Sequence, residues 1–272
     1  MKKLIALIIM SLFAQGAAGC GSQTAIKETE EPAANIEEKG EKKGDKKEEV
    51  SQEAEQTEND SDFIDSVEYT VERTDYSIYN DNGEPLIYLY YDAVQITDDI
   101  PNKYEINAAI VQCCEEEFAK NGGLESFKEY LEFPGCSPDC PFECTMKYNI
   151  ANNSDGIFSI LMILQWYMGG VADYGYEGLT FDINEGKPVD AASLFNMSKE
   201  DLAELMKEKM LEFMNEYPDY EWYYEKIEKY TYDDFKWFID DGQLKLALDK
   251  YEAAPGVYGG AVIDTGIYID RE

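Results

Sequence analysis

The side chains that could carry chemistry in this chain are carboxylates, tyrosines and cysteines, because none of its 272 residues is a histidine. Without an imidazole, neither a Ser-His-Asp nor a Cys-His nucleophile can be built. Two carboxylates can hydrolyse a glycan without histidine, but no motif distinguishes any pair among the 57 acidic residues. No phosphate-binding glycine loop and no EF-hand loop is present in the sequence. The sequence therefore predicts no catalytic residue, no cofactor and no metal site.

The surroundings of Cys20 are typical of an export signal. Two lysines at 2–3 precede an apolar run at 4–13 and the small residues at 17–19. A charged segment, a short apolar segment and a small-residue cleavage site in this order indicate secretion. A cysteine directly after the small residues resembles the lipobox of bacterial lipoproteins. The resemblance implies that residues 1–19 are removed and that the Cys20 thiol carries a diacylglycerol. The alternative is an ordinary secreted protein with a cysteine near its start.

The predicted membrane anchor is a lipid rather than a spanning helix. The apolar run is about ten residues long, whereas a helix needs about 20 to cross a bilayer, and two acyl chains suffice for stable attachment. Residues 20–62 contain almost no large apolar side chain, so they cannot offset the entropy cost of folding. We expect them to be a lipid-anchored disordered linker. It would hold residues 63–272 at the outer face of the cell membrane, in the bacterial cell envelope.

The folded part of the chain is strongly acidic. Residues 63–272 contain 43 acidic and 15 basic side chains, which accounts for −28 of the formal charge of −34. A surface with this charge repels nucleic acid and anionic membrane lipids, and it attracts cationic partners over long distances. We therefore expect no nucleic-acid partner. A cationic ligand fits the charge, and solubility at an acidic cell surface is the alternative explanation.

Five further cysteines are expected to form disulfides, because the chain is predicted to lie outside the cytoplasm. An odd number leaves at least one thiol free or paired between molecules. The segment 135–144 contains two prolines, which predicts an irregular loop. We expect a disulfide bond to connect this loop to the preceding helix, and the sequence leaves open which cysteines are paired. A zinc site is the alternative, because the Cys-x3-Cys-x3-Cys spacing is close to that of zinc ligands. The disulfide candidates are Cys113, Cys114, Cys136, Cys140 and Cys144.

Hydrophobic periodicity predicts two main helices and a set of strands. Apolar residues recur at helical spacing over 101–120, and Ser198 with Asp201 forms a capping signature for a second helix over 198–216. A glycine-rich loop is predicted at 169–178. Because strands and helices do not alternate regularly, the predicted fold class is α+β, with a largely antiparallel sheet packed with the two helices and preceded by the disordered tether. The predicted strands cover 67–73, 86–96, 145–151, 157–168, 179–183, 235–240, 243–249 and 257–269.

Several blocks of the chain resemble a known extracytoplasmic domain. Among them are the residues at 176–189 (YEGLTFDINEGKPV), 238–244 (FIDDGQL) and 251–256 (YEAAPG). They resemble the C-terminal domain shared by RsiV-type lysozyme-sensing anti-sigma factors and PdaC-type peptidoglycan deacetylases, and the earlier part of the chain resembles the domain that usually precedes it. The resemblance implies two α+β subdomains, one at 63–165 with the cysteine loop and an RsiV/PdaC-like one at 166–272.

The resemblance concerns a binding domain, so neither deacetylase activity nor sigma-factor control is carried over and no enzyme is expected. Its best-known ligand class is lysozyme, a cationic enzyme. The sequence thus predicts a cell-surface lipoprotein that acts as a non-catalytic envelope binding module for lysozyme or another cationic protein. A domain that binds cell-wall glycan (peptidoglycan) is the alternative, and an envelope hydrolase is the third. The candidate ligand-binding residues are Asp173, Tyr174, Tyr176, Glu177, Trp222 and Tyr224.

Overall fold

The computed structural model describes residues 63–120, 128–132, 135–170 and 172–269. The predicted signal peptide, Cys20 and the predicted linker lie outside these ranges. No helix within them is both long and apolar enough to span a bilayer. The helices are α1 (Lys103–Lys120), α2 (Ala191–Leu194), α3 (Lys199–Glu216) and α4 (Tyr224–Ile227), and the strands are β1 (Tyr69–Asp75), β2 (Ile78–Tyr79), β3 (Pro85–Ile96), β4 (Phe142–Ser154), β5 (Ile157–Tyr167), β6 (Asp173–Asp182), β7 (Lys187–Pro188), β8 (Lys236–Asp240), β9 (Gln243–Leu248) and β10 (Ala261–Tyr268).

The strands form two sheets. The larger sheet has seven strands in the order β1-β3-β4-β5-β6-β7, with β2 also paired to β3, and the smaller sheet has the order β10-β9-β8. The β3–β4 pair is parallel and the other described pairs are antiparallel. This confirms the predicted α+β class with a largely antiparallel sheet and two main helices, each 18 residues long. The predicted boundary between residues 165 and 166 falls inside β5, within the larger sheet.

The elements pack in four layers. Helix α1 covers one face of the larger sheet, and its Phe118 ring meets Tyr91 of β3 edge-on at a centroid distance of 5.6 Å. The opposite face of β5 and β6 packs against the smaller sheet through an apolar cluster of both sheets. Helix α3 covers the outer face of the smaller sheet, where Leu244, Leu246 and Leu248 alternate along β9 and are all buried. The smaller sheet therefore packs through apolar side chains on both of its faces.

Helix α3 begins at the residue that the capping signature indicates. The Ser198 hydroxyl accepts a hydrogen bond from the Asp201 N–H (3.0 Å) and donates one to the Asp201 carboxylate (2.8 Å). We expect Ser198→Ala to lower the free energy of unfolding by about 1 kcal/mol, because a helix N–H loses its acceptor. Urea denaturation measures this loss, and Ser198→Thr, which keeps a capping hydroxyl, should lose less. Equal stability of the alanine variant and the wild type would contradict the capping role.

The segment 169–178 is only partly a loop, which corrects the sequence prediction. From Asp173 onward it forms β6, which pairs with β5 from Asp173 to Asp182. Gly178 within this strand permits a close approach rather than a turn. A Cβ on Gly178 would lie 1.9 Å from the carbonyl oxygen of Trp237 in the smaller sheet. Glycine within a strand often marks such an approach of two backbones, and composition alone does not separate this role from that of a loop.

The predicted disulfide staple is absent from the structure. There is no disulfide bond among the described cysteines, which are Cys113, Cys114, Cys136, Cys140 and Cys144. Cys114 on α1 contacts β5, with its Sγ 3.8 Å from Met162 Sδ, whereas Cys136 Sγ donates to the Leu86 carbonyl oxygen of β3 (3.3 Å). The loop and the helix thus direct these two thiols to different strands. Nor do the described residues hold a group of three or more Cys, His, Asp or Glu side chains that could bind a metal ion.

Candidate functional site

The four candidate residues on β6 lie in different environments. The Tyr176 side chain is buried in the apolar cluster between the two sheets. Glu177 faces the opposite side of the strand, because successive side chains alternate. Asp173 and Tyr174 are half-buried at the start of β6, where the Asp173 carboxylate accepts from the Tyr174 N–H (2.9 Å). The four side chains are therefore not gathered at one point.

The residues that follow β9 cap the edge of β6. Asp249 Oδ1 accepts a hydrogen bond from the Tyr176 N–H (2.7 Å), and the Lys250 N–H donates to the Tyr174 carbonyl oxygen (3.2 Å). Asp249 Oδ2 accepts from Lys236 Nζ at 2.6 Å. One carboxylate thus connects the backbone of the larger sheet to a side chain of β8 in the smaller sheet.

Lys236 is a cation shared by several acids, and we call Glu177, Tyr230, Lys236, Asp249 and Glu252 the carboxylate network. Lys236 Nζ lies 3.8 Å from Glu177 Oε2 in addition to its bond with Asp249. Glu252 accepts from the Asp249 N–H and from the Tyr230 hydroxyl, both at 2.7 Å. These bonds fix the start of the loop 249–260 against the edge of β6.

The pKa values of the network follow from burial and from the shared cation. Burial raises the pKa of Glu177 and that of Glu252. Burial lowers the pKa of Lys236, but the hydrogen bond and charge of Asp249 outweigh this effect, and the net pKa is raised. Lys236 is therefore protonated at neutral pH, and its charge stabilises carboxylates that burial disfavours as ions. The arrangement holds a loop in place through charge-assisted hydrogen bonds.

A shallow depression, which we call the aromatic cleft, adjoins this network at Asp249. The rings of Tyr220 and Tyr258 stack there with centroids 4.0 Å apart, and the Trp222 ring lies 5.3 Å from Tyr220. The orientation of Trp222 is set because its Nε1–H donates to the Tyr217 carbonyl oxygen (2.9 Å). The lining residues are Phe213, Tyr220, Trp222, Leu248, Asp249, Ala253, Ala254, Tyr258, Gly259, Gly260 and Ala261.

Exposed rings and exposed acids lie next to the cleft in sequence and in space. The segment 217–225 supplies the cleft residues Tyr220 and Trp222, and the Tyr223 N–H donates to the carbonyl oxygen of the lining residue Ala253 (2.7 Å). The side chains of Tyr223 and Tyr224 are exposed, and so are those of the acids between the rings. We call these residues, together with the exposed Tyr251 and Val257 of the loop 249–260, the rim of the cleft. They are Asp219, Glu221, Tyr223, Tyr224, Glu225, Tyr251 and Val257.

The loop 249–260 holds Tyr251 in a strained backbone conformation. Its φ is 68°, a value that is rare for a residue with a large side chain. The ring lies directly on Gly256, where an added Cβ would be 2.0 Å from Tyr251 Cζ. The side chain nevertheless remains 55% exposed. Strained backbone conformations cluster at functional sites, and this one holds an exposed ring in the loop that lines the cleft.

The structure brings only some of the predicted site residues together. Trp222 lines the cleft, and Asp249 connects the cleft to the backbone of Tyr176 and, through Lys236, to Glu177. Tyr224 begins α4, and its hydroxyl donates to Asn215 Oδ1 (3.3 Å). The residues that sequence reasoning missed are Tyr220, Tyr230, Lys236, Asp249, Glu252 and Tyr258. The signal available for Glu252 was the block at 251–256 that carried the family resemblance.

Comparison with known proteins shows that the fold of this chain is similar to that of solved structures. No protein-family model matches the chain, and no curated protein matches it. A member of the DUF3298 family from Bacteroides fragilis NCTC 9343 is 12% identical with a TM-score of 0.50, over 74% of this chain and 90% of that one. A DUF3298 family protein from Pseudomonas aeruginosa PAO1 is 13% identical with a TM-score of 0.51, over 75% and 92%. DUF3298 is the domain found in RsiV- and PdaC-like proteins, and at this identity the similarity concerns the fold alone.

Proposed function

We propose that this chain is a non-catalytic binding module of the bacterial cell envelope, and that it binds a cationic protein such as lysozyme in the aromatic cleft. A diacylglycerol on Cys20 would anchor it to the outer face of the membrane. The observation that carries the proposal is the combination of exposed rings and exposed carboxylates around one cleft. The fold similarity to DUF3298 structures supports an accessory or binding role and names no ligand.

Rings and carboxylates together suit a surface rich in lysine and arginine. A guanidinium or ammonium group over a tyrosine or tryptophan face is attracted by the ring, and a neighbouring carboxylate adds a charge-assisted hydrogen bond. Glu221 lies between Tyr220 and Trp222 in the chain, and Glu225 follows Tyr224, so acids and rings alternate along the segment. A neutral ligand would gain from the rings alone.

The net charge of the surface favours the same ligand class. Nine of the described basic side chains form ion pairs with the protein's own acids. The excess of acids over bases in residues 63–272 therefore determines the long-range field. Such a field raises the association rate of a cationic protein, and salt weakens it. The lysozyme affinity is accordingly expected to fall as ionic strength rises.

Titration calorimetry with lysozyme tests this proposal on the mature chain carrying Cys20→Ser. Replacing both Tyr223 and Tyr224 by alanine should weaken binding about tenfold or more, because two exposed rings of the rim are lost. The matched control is Tyr104→Ala, since Tyr104 on α1 is 80% exposed and lies outside the cleft. Absence of binding at low salt, or equal loss in the control, would contradict the proposal.

Peptidoglycan is the second candidate ligand, because exposed tyrosine rings also stack on sugars. Sedimentation with purified peptidoglycan at high salt separates the two ligands. Binding that persists at high salt and depends on Tyr223 and Tyr224 would favour the glycan, whereas binding of lysozyme that salt abolishes would favour the cationic protein. Neither ligand requires a catalytic group in the cleft.

A further inference from the structure

Strand β1 forms an edge of the larger sheet. Its seven residues, Tyr69–Asp75, pair with β3 on one side, and no described strand pairs with the other side. Native edges are commonly protected by proline, lysine, a bulge or a very short strand. The sequence YTVERTD contains neither proline nor lysine, and its register with β3 is regular over all seven positions. The charged side chains of the strand, which are Glu72, Arg73 and Asp75, are the protection that remains, and they leave the edge open to a strand of complementary charge.

The hydrogen bonds at the two ends of β1 show which backbone groups point outward. The Glu68 carbonyl oxygen accepts from the Thr97 N–H (2.9 Å), and the Tyr76 N–H donates to the Leu89 carbonyl oxygen (2.7 Å). In an antiparallel pair, residues alternate between bonding the partner strand and facing away from it. The even-numbered residues therefore bond β3. The outward residues, whose backbone groups have no hydrogen-bond partner among the described residues, are Tyr69, Val71, Arg73 and Asp75.

Exposed acids lie along this edge. Glu68 and Glu72 lie on one face of the strand, four residues apart, and both are exposed. Asp98, which accepts from the Glu68 N–H (2.7 Å), adds a further acid at the same end. The one cation of the strand is neutralised, because the Arg73 guanidinium forms two hydrogen bonds with Asp92 at 2.7 and 2.9 Å.

We propose that β1 docks an extended, lysine- or arginine-rich segment of a protein or peptide by β-strand addition. The four outward residues supply main-chain hydrogen bonds for the added strand, which is how exposed sheet edges capture extended peptides. Every second side chain of the added strand lies on the same face of the sheet as Glu68 and Glu72. Lysine or arginine at those positions of the added strand would therefore lie next to the two glutamates. A second copy of this chain fits less well, because two acidic domains repel each other. This site is separate from the aromatic cleft and does not depend on the function proposed for it.

Amide hydrogen exchange on the full mature chain with Cys20→Ser tests the proposal. The probe is a blocked nine-residue peptide of alternating lysine and valine, added at low salt. We expect exchange to slow at least tenfold at the amides of residues 69, 71, 73 and 75, with little change at 70, 72 and 74, which already bond β3. A peptide of alternating glutamate and valine should give no protection. Absence of this odd-even pattern would overturn the proposal, as would its appearance without peptide at high protein concentration, which would assign the edge to a second copy.

Two variants make the same test by affinity. Val71→Pro removes one outward N–H and keeps every bond to β3, because the Val71 N–H faces away from β3. Proline is tolerated on edge strands. The variant should weaken peptide binding at least tenfold. Glu68→Lys with Glu72→Lys reverses the charge and should abolish the preference for the lysine peptide, so it keeps the test decisive if the proline variant fails to fold. Unchanged affinity in a folded proline variant or in the double variant would overturn the proposal. Lysozyme binding in the cleft, measured in parallel, is expected to survive Val71→Pro.

Discussion

Gly178→Ala is expected to lower the free energy of unfolding by about 3 kcal/mol, at the upper end of the range for overpacking. The added Cβ would lie 1.9 Å from the Trp237 carbonyl oxygen and 2.8 Å from its carbonyl carbon. Both are backbone atoms of β8, so no side-chain rotation relieves the clash. The two sheets must separate locally, which opens the apolar cluster around Tyr176. Urea denaturation followed by tryptophan fluorescence measures the loss.

Gly170→Ala is the matched control for this variant. No atom lies within 4 Å of a Cβ built at Gly170, so the same chemical change should alter stability by less than about 0.5 kcal/mol. A small effect at both glycines would show that the sheets can separate without cost. That result would contradict the close approach at Gly178 and the four-layer packing that depends on it.

Lys236→Met is expected to lower the free energy of unfolding by about 2 kcal/mol, because it removes a charged hydrogen-bond donor from half-buried acids. Asp249 loses its 2.6 Å bond, and Glu177 loses the cation at 3.8 Å. Since Asp249 also holds the edge of β6, the loop 249–260 should loosen and lysozyme binding should weaken with stability. Lys209→Met is the control, because Lys209 forms a surface ion pair with Glu212, and such pairs contribute little. Equal losses in both variants would refute a special role for Lys236.

The loss caused by Lys236→Met should become smaller as the pH falls. Burial raises the pKa of Glu177 above its usual value of 4.5, so the folded protein binds this proton more tightly than the unfolded chain does. The corresponding stabilisation is present below pH 4.5 and is lost as the pH rises through the folded-state pKa. At neutral pH the variant must bury the ionised carboxylate without its cation, whereas at low pH the carboxyl is neutral. A loss that stays constant from pH 7 to pH 4.5 would argue against this account.

The candidate site was only partly predictable from the sequence. The sequence named Trp222 and Tyr224 as candidate ligand-binding residues, and the acidic charge indicated a cationic ligand. Asp249 and Lys236 carried no local signal, because each is one of many charged residues at the end of a strand. Their importance arises from a contact across 13 residues of chain and from a second contact between Asp249 and Tyr176, 73 residues away. Such contacts depend on how the two sheets pack.

What the sequence determined by itself is the local structure, because its causes act within a few residues. Helical spacing of apolar residues defined α1, Ser198 defined the start of α3, and the pair Asp241-Gly242, with φ of 48° and 73°, defined the hairpin turn that these residue types favour. Only the tertiary structure decided that Gly178 is a strand residue, that Asp249 closes the edge of β6, and that no disulfide joins the described cysteines. The physical reason is the same in each case: a close approach, a shared hydrogen-bond acceptor or a thiol contact depends on atoms that the chain brings together from distant positions.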